Sequence, residues 1–191
     1  LDFFHKTRHR VAGDHLVLRN VAVHNPVDAF IAFNPVVSVT GHDVLIHRSE
    51  IFNNRRDGDT DSHGIQASAG SFNVWILESE LYNNNGDSFQ GCHQCFDAPP
   101  HHVYIGRNVM HDDRENAVDL KTIHDVVISE NVMYGYGSSS TSNGDAMVIG
   151  SNGFDASMNQ GPRRVWVLHN EIRDSSTGIT QIGTGAFTFD A

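Results

Sequence analysis

The chain has 191 residues, 39% hydrophobic and 19% charged, a composition that supports a folded protein and excludes a disordered polar segment. Its 13 Lys+Arg against 23 Asp+Glu leave a formal net charge of -10, which repels a nucleic-acid backbone and argues against DNA or RNA as partners. No run reaches the roughly 20 apolar residues of a membrane span, and no charged segment followed by an apolar one opens the chain at Leu1.

Taken in chain order, one pattern recurs. A loose copy opens at His15-Leu16-Val17-Leu18 and ends near Val23-His24-Asn25. His42-Asp43-Val44-Leu45-Ile46 then leads to Glu50-Ile51-Phe52-Asn53-Asn54, and Phe72-Asn73-Val74-Trp75-Ile76 leads to Glu80-Leu81-Tyr82-Asn83-Asn84 at the same spacing. Three further copies run from His102-Val103-Tyr104-Ile105 to Asn108-Val109-Met110, from Asp125-Val126-Val127-Ile128 to Asn131-Val132-Met133, and from Arg164-Val165-Trp166-Val167 to Asn170-Glu171-Ile172. Anchored on Val44, Val74, Val103, Val126 and Val165, the intervals are 30, 29, 23 and 39 residues, as expected of coils whose loops differ in length. Apolar-polar alternation marks each copy as a strand with one buried face, and helical periodicity is absent.

A second alternating segment follows each copy: His63-Gly64-Ile65-Gln66, Asp87-Ser88-Phe89-Gln90, Asn116-Ala117-Val118-Asp119, Asp145-Ala146-Met147-Val148 and Thr177-Gly178-Ile179-Thr180. Aligned, Ile65, Phe89, Val118, Met147 and Ile179 form an inward file, while Gln66, Gln90, Asp119, Val148 and Thr180 point outward to solvent. One coil cannot bury its apolar side alone, so stacking about 4.8 Å apart is what stabilises the files. Ser49, Ser79, Asn108, Asn131 and Asn170 occupy equivalent turns, where Asn tolerates left-handed backbone and can bond to the amide of the neighbouring coil. A β-sandwich would also offer short alternating strands, but Asn143-Gly144 and Asp57-Gly58 lie inside longer loops rather than joining two apolar runs as hairpin turns. The expected fold is all-β: a parallel β-solenoid of about six coils, one domain over residues 1–191, either complete or a processed part of something longer.

Over roughly residues 13 to 187 this coil pattern resembles the right-handed parallel β-helix superfamily that contains the pectate lyases. Within it, Glu115-Asn116-Ala117-Val118-Asp119 is similar to the calcium-binding strand of family 9 pectate lyases, and Asp87, one coil earlier in the column of Asn116, is similar to the further acidic ligand of that strand. The resemblance implies Ca²⁺ held by Asp87, Glu115, Asn116 and Asp119, an acidic polysaccharide as partner, and a location outside the cell or at its surface. Asn116 replaces an acid, which lowers the expected Ca²⁺ affinity. That family's catalytic lysine position falls on Val148 or Gly150, so lysine chemistry passes to Lys121 by its place two residues after Asp119 and not by motif.

The corresponding reaction is β-elimination, in which a base removes the proton α to a uronate carboxylate and a cation meets the charge that develops. Lys121 is the candidate base, provided burial and an adjacent metal lower its pKa. Gln66, Gln90, His93, Arg114 and Asp145 would line the substrate groove. A hydrolase or epimerase using the paired carboxylates Asp87 and Asp119, or a non-catalytic carbohydrate-binding or structural solenoid, are the other readings.

Other constellations leave alternatives open. Asp57, Asp59 and Asp61 with His63 form an acidic loop, either a solvated loop or an ion site, without the Gly and distal Glu of an EF-hand. Cys92-His93-Gln94-Cys95 followed by His101-His102 reads as free thiols, a disulfide or a metal site. Trp75, Trp166, Tyr82, Tyr104 and Tyr134 are either sugar platforms or packing rungs, and the histidines at strand starts, His15, His42, His102 and His124, read as structural.

Overall fold

A computed structural model of the chain describes residues 2–4, 9–24, 35–54, 60–150 and 161–182. Its strands form three sheets, and every pairing in them is parallel. The first, long sheet stacks β3 (Leu16–Arg19), β6 (His42–His47), β9 (Phe72–Leu77), β12 (His101–Gly106), β15 (His124–Ser129) and β18 (Arg163–Leu168). The second sheet stacks β1 (Asp2–Phe4), β4 (Ala22–His24), β7 (Glu50–Phe52), β10 (Glu80–Tyr82), β13 (Val109–His111), β16 (Val132–Tyr134) and β19 (Glu171–Arg173). The third stacks β2 (His9–Val11), β5 (Val37–Val39), β8 (Ile65–Ala67), β11 (Phe89–Gln90), β14 (Val118–Leu120), β17 (Asp145–Gly150) and β20 (Thr177–Ile182). Each coil contributes one strand to each sheet, so β3 to β20 make six full coils. β1 and β2 begin an earlier one, upstream of the residue-13 boundary expected from the repeat.

The register matches the files read from the sequence. Val44, Val74, Val103, Val126 and Val165 are paired neighbours through the long sheet, and Ile65, Phe89, Val118, Met147 and Ile179 through the third. Inward side chains of all three sheets join in one elongated apolar core, in which Ile46, Ile76, Ile105 and Ile128 have no exposed surface.

Polar ladders hold the corners. The Ser49 amide donates to Ser79 Oγ (3.1 Å), Ser79 N to Asn108 Oδ1 (2.9 Å), Asn108 N to Asn131 Oδ1 (2.9 Å) and Asn131 N to Asn170 Oδ1 (3.0 Å). The left-handed residues are not these but their predecessors: Arg48, Glu78, Arg107, Glu130 and His169 have φ between 48° and 57°. One left-handed residue turns the strand out of the long sheet, and the ladder residue then meets the next coil. A second ladder, not anticipated, runs from Asn54 to Asn84 to Asp113 at the corner after the second sheet.

Tyr82 and Tyr134 are rungs rather than platforms. They belong to a stack His24, Phe52, Tyr82, His111, Tyr134 with ring centroids 4.7 to 4.9 Å apart, closed by the Arg173 guanidinium 4.1 Å from the Tyr134 ring. Their faces contact one another, which leaves mainly ring edges for solvent. His42 and His101 stack on either side of Phe72 in the same way. His42 is thus structural, as expected, whereas at the start of β12 the stacked histidine is His101 and the expected His102 is exposed. Trp75 and Trp166 stay exposed on the long sheet (36% and 48%).

Candidate functional site

The third sheet builds the site because its outward file collects side chains that are far apart in sequence. Gln66 pairs with Gln90, Gln90 with Asp119, and Asp119 with Val148, each in neighbouring coils. Ahead of this file stand His63, Asp87, Asn116 and Asp145, aligned by hydrogen bonds such as Gly64 N to Asp87 O and Ser88 N to Asn116 O (both 2.9 Å). The expected solvent face is nevertheless largely covered: Asp87, Gln90, Asn116, Asp119 and Asp145 are all buried. Lys121 and the half-exposed Asp61 are where the cluster reaches solvent.

Hydrogen bonds connect the cluster across coils. Gln66 Nε2 donates to Gln90 Oε1 (2.8 Å), and Gln90 Nε2 points at Asp87 Oδ2 (3.3 Å). Asp87 Oδ2 also lies 3.0 Å from His63 Nδ1, and Lys121 Nζ is ion-paired with Asp119 Oδ2. Arg114 stands at the far rim, with Nη2 2.7 Å from Asp61 Oδ1 and 3.9 Å from Glu115 Oε1 and with Nη1 on Thr141 Oγ1 (2.8 Å). Asn116 and Asp145 serve the scaffold: Asn116 Nδ2 donates to the Asp145 carbonyl (2.7 Å), and the Asp145 carboxylate accepts from Thr180. His93 is exposed, in a loop beside Lys121, and Cys92 and Cys95 are joined as a disulfide, which removes them as thiols or metal ligands. Asp57 and Asp59 lie outside the described residues.

Burial and crowding of like charges shape the titration. Desolvation, reinforced by Asp61, pushes Asp87 up to about 7. Desolvation and the neighbouring Asp87 push both Glu115 and Asp119 up to about 7. Burial lowers the His63 imidazole. Lys121 departs from the sequence reading: burial would lower it, but Asp119, followed by Asp87 and Glu115, outweighs burial and the net shift is upward. In this setting Lys121 is a cation, and the proton-accepting groups are carboxylates.

The set expected for calcium does not converge as such: among the described residues the acids and histidines whose ligand atoms lie within 4.8 Å of one another are Asp61, His63 and Glu115. Asp87 Oδ1 and Asp119 Oδ1 are nevertheless buried oxygens without a hydrogen-bond partner. Asn116 has its amide nitrogen committed to the scaffold, so it can offer only its carbonyl oxygen. The signal that could have exposed His63 was its place in the column of Asp87; the acidic loop around it drew the sequence reading away.

No protein-family model matches the chain, and no curated protein matches it in sequence. Among solved structures, the A-module of the Azotobacter vinelandii mannuronan C-5 epimerase superposes with a TM-score of 0.53 at 13% identity, over 92% of this chain and 59% of that one. The fold is a right-handed parallel β-helix. A periplasmic alginate epimerase aligns more loosely, with a TM-score of 0.40 at 12% identity over 83% of this β-helix and 42% of its own length. The β-helix therefore spans less than two thirds of either structure. Among the described residues no helix is long and apolar enough to cross a membrane.

Proposed function

We propose that this β-helix acts on a uronate-containing acidic polysaccharide by removing the proton α to the sugar carboxylate. The observation that carries the proposal is the Asp119–Lys121 pair held on the outward file of the third sheet with Asp87 one coil away. Asp119 would accept the C5 proton. The Lys121 ammonium would hold the substrate carboxylate and offset the enolate-like charge that develops, and Arg114 would extend the positive rim toward a neighbouring sugar. In the lyase reading the C4–O bond then breaks and the departing oxygen takes a proton from Lys121. In the second reading a solvent-derived proton is delivered to the opposite face of C5 while Asp119 passes the abstracted one to solvent, and the product is an epimer. That the similar solved structure belongs to a mannuronan C-5 epimerase favours this alternative.

Calcium belongs to the proposal as an ion held by Asp87, Glu115, Asn116 and Asp119, with Asp119 giving it Oδ1 and keeping Oδ2, beside Lys121, for the proton; there it would supply positive charge to the uronate carboxylate. A location outside the cytoplasm is part of the same reading and is supported by the Cys92–Cys95 disulfide.

Polymannuronate, polygalacturonate and chondroitin incubated with the protein in D₂O, with Ca²⁺ or EDTA, separate the outcomes. Absorbance of an unsaturated product marks a lyase, and deuterium at C5 without chain cleavage marks an epimerase. New reducing ends without that absorbance would replace both readings with hydrolysis, and no change in any polymer would leave a binding or structural solenoid. Lys121→Ala, checked for folding by circular dichroism, should lower turnover by about 10² or more. Activity retained in that variant removes Lys121 from the mechanism, and activity indifferent to EDTA removes calcium.

A further inference from the structure

We propose that Asp61, His63 and Glu115 form a site for one divalent transition ion of the Mn²⁺ or Zn²⁺ kind, which shares Glu115 with the all-oxygen set expected for calcium and so competes with it for the cluster. One ligand atom from each residue lies within 4.8 Å of the other two. His63 and Glu115 are buried, so the stacked coils fix their positions, while the half-exposed Asp61 leaves a route for entry. One imidazole with two carboxylates suits Mn²⁺, Fe²⁺ or Zn²⁺, whereas Ca²⁺ prefers oxygen donors throughout.

Asp87 gives the second observation. It has no exposed surface, its Oδ2 lies 3.0 Å from His63 Nδ1, and its Oδ1 has no hydrogen-bond partner. Buried polar atoms are normally paired, and a carboxylate behind a histidine is the usual outer partner of an imidazole that ligates a metal. The Asp87 amide, 2.9 Å from Nδ1, suits the tautomer with its proton on Nε2. An ion at Nε2 would require the other tautomer, in which Nδ1–H donates to Asp87 Oδ2 and the Asp87 amide gives up Nδ1 as its acceptor, a cost that the metal–ligand bonds must exceed. Gly86 makes room for the ring in this position, since a Cβ there would come within 2.5 Å of His63 Nδ1.

Arg114 touches Asp61 through Oδ1 and can remain its outer partner while the second oxygen ligates.

The test uses the untagged full chain with Mn²⁺, read by electron paramagnetic resonance and pulsed nitrogen coupling, and with Zn²⁺ and Ca²⁺ as competitors. The expected result is one Mn²⁺ per chain coupled to an imidazole nitrogen, displaced by Zn²⁺ and not by equal Ca²⁺. Asp61→Asn and Glu115→Gln should each weaken it about tenfold or more. No binding at millimolar Mn²⁺, binding without nitrogen coupling, equal displacement by Ca²⁺, or affinity unchanged in both variants would overturn the site. His63→Gln, with folding confirmed by circular dichroism, should abolish the nitrogen signal, and its persistence there assigns the ion to another histidine. Because the readout is binding, the result is independent of whether any glycan is turned over.

Discussion

Single residues at the corners carry much of the solenoid's specificity. Asn131 receives the Asn108 amide and side chain on Oδ1, and its own Nδ2 donates to the Ile105 carbonyl (2.9 Å) and to Asn170 Oδ1 (2.8 Å). Removing that side chain leaves buried donors and an acceptor without partners, so Asn131→Ala should cost about 2–3 kcal/mol. Chemical denaturation would measure it, and a loss below about 0.5 kcal/mol would show that water replaces the ladder. The ladder was legible in the sequence because five turn positions carried small polar side chains at matching places. The left-handed backbone was misplaced by one residue, since Arg107 and Glu130 show no compositional sign of a positive φ; the turn imposes it on them.

At the scale of one element, the corner between the second and third sheets depends on Asp113. Its Oδ1 accepts from Asn84 N (2.8 Å) and Nδ2 (2.7 Å), and its Oδ2 meets Ser88 and the Tyr136 hydroxyl (3.1 Å). Desolvation pushes the acid up from 3.8 to about 7, although the Ser88, Asn84 and Tyr136 hydrogen bonds oppose the shift. A folded-state pKa above the unfolded value means that the folded chain binds this proton more tightly. The contribution is therefore complete below about pH 4 and is lost as pH rises from 3.8 to about 7. Thermal unfolding across that window should show the decline, and Asp113→Asn, a neutral side chain of the same shape, should make it shallower by the share of Asp113, the rest staying with Asp87, Glu115 and Asp119, which are raised to the same range. Asp113→Ala should instead cost about 2–4 kcal/mol below about pH 4, because Asn84, Ser88 and Tyr136 all lose their partner, and the cost should shrink as pH rises through the window in which the native acid ionises. Nothing in the local sequence marks Asp113, since its neighbours Asp112 and Glu115 are acids too and only the coil geometry turns this one inward.

Across the whole molecule, each coil touches only its neighbours, so stability should grade along the axis. Ile105 in β12 has no exposed surface, and Ile105→Ala should cost about 2–4 kcal/mol. The corresponding Val167 in β18 is only partly buried and has no described strand beyond it in the long sheet, so Val167→Ala should cost less than half as much. Amide hydrogen exchange should be slowest in β9, β12 and β15 and faster in β18 and β19; uniform protection would indicate a single cooperative unit instead. The same stacking assembles the candidate site, because Asp87 and Asp119 come from successive coils whose register is set by the inward Phe89 and Val118 beside them.

The amino-acid sequence by itself determined the strands other than β1, β2 and β5, their inward files, the three-sheet coil and the neighbourhood of Asp87, Asp119 and Lys121, because a period-two apolar pattern repeated in register has one economical way to bury itself. Only the tertiary structure decided that the outward file is covered, that Lys121 rests on Asp119 and stays charged, that Cys92 meets Cys95, and that His63 joins Asp61 and Glu115. Those outcomes depend on distances and dielectric surroundings between coils, and these arise only once the coils are stacked and water is displaced.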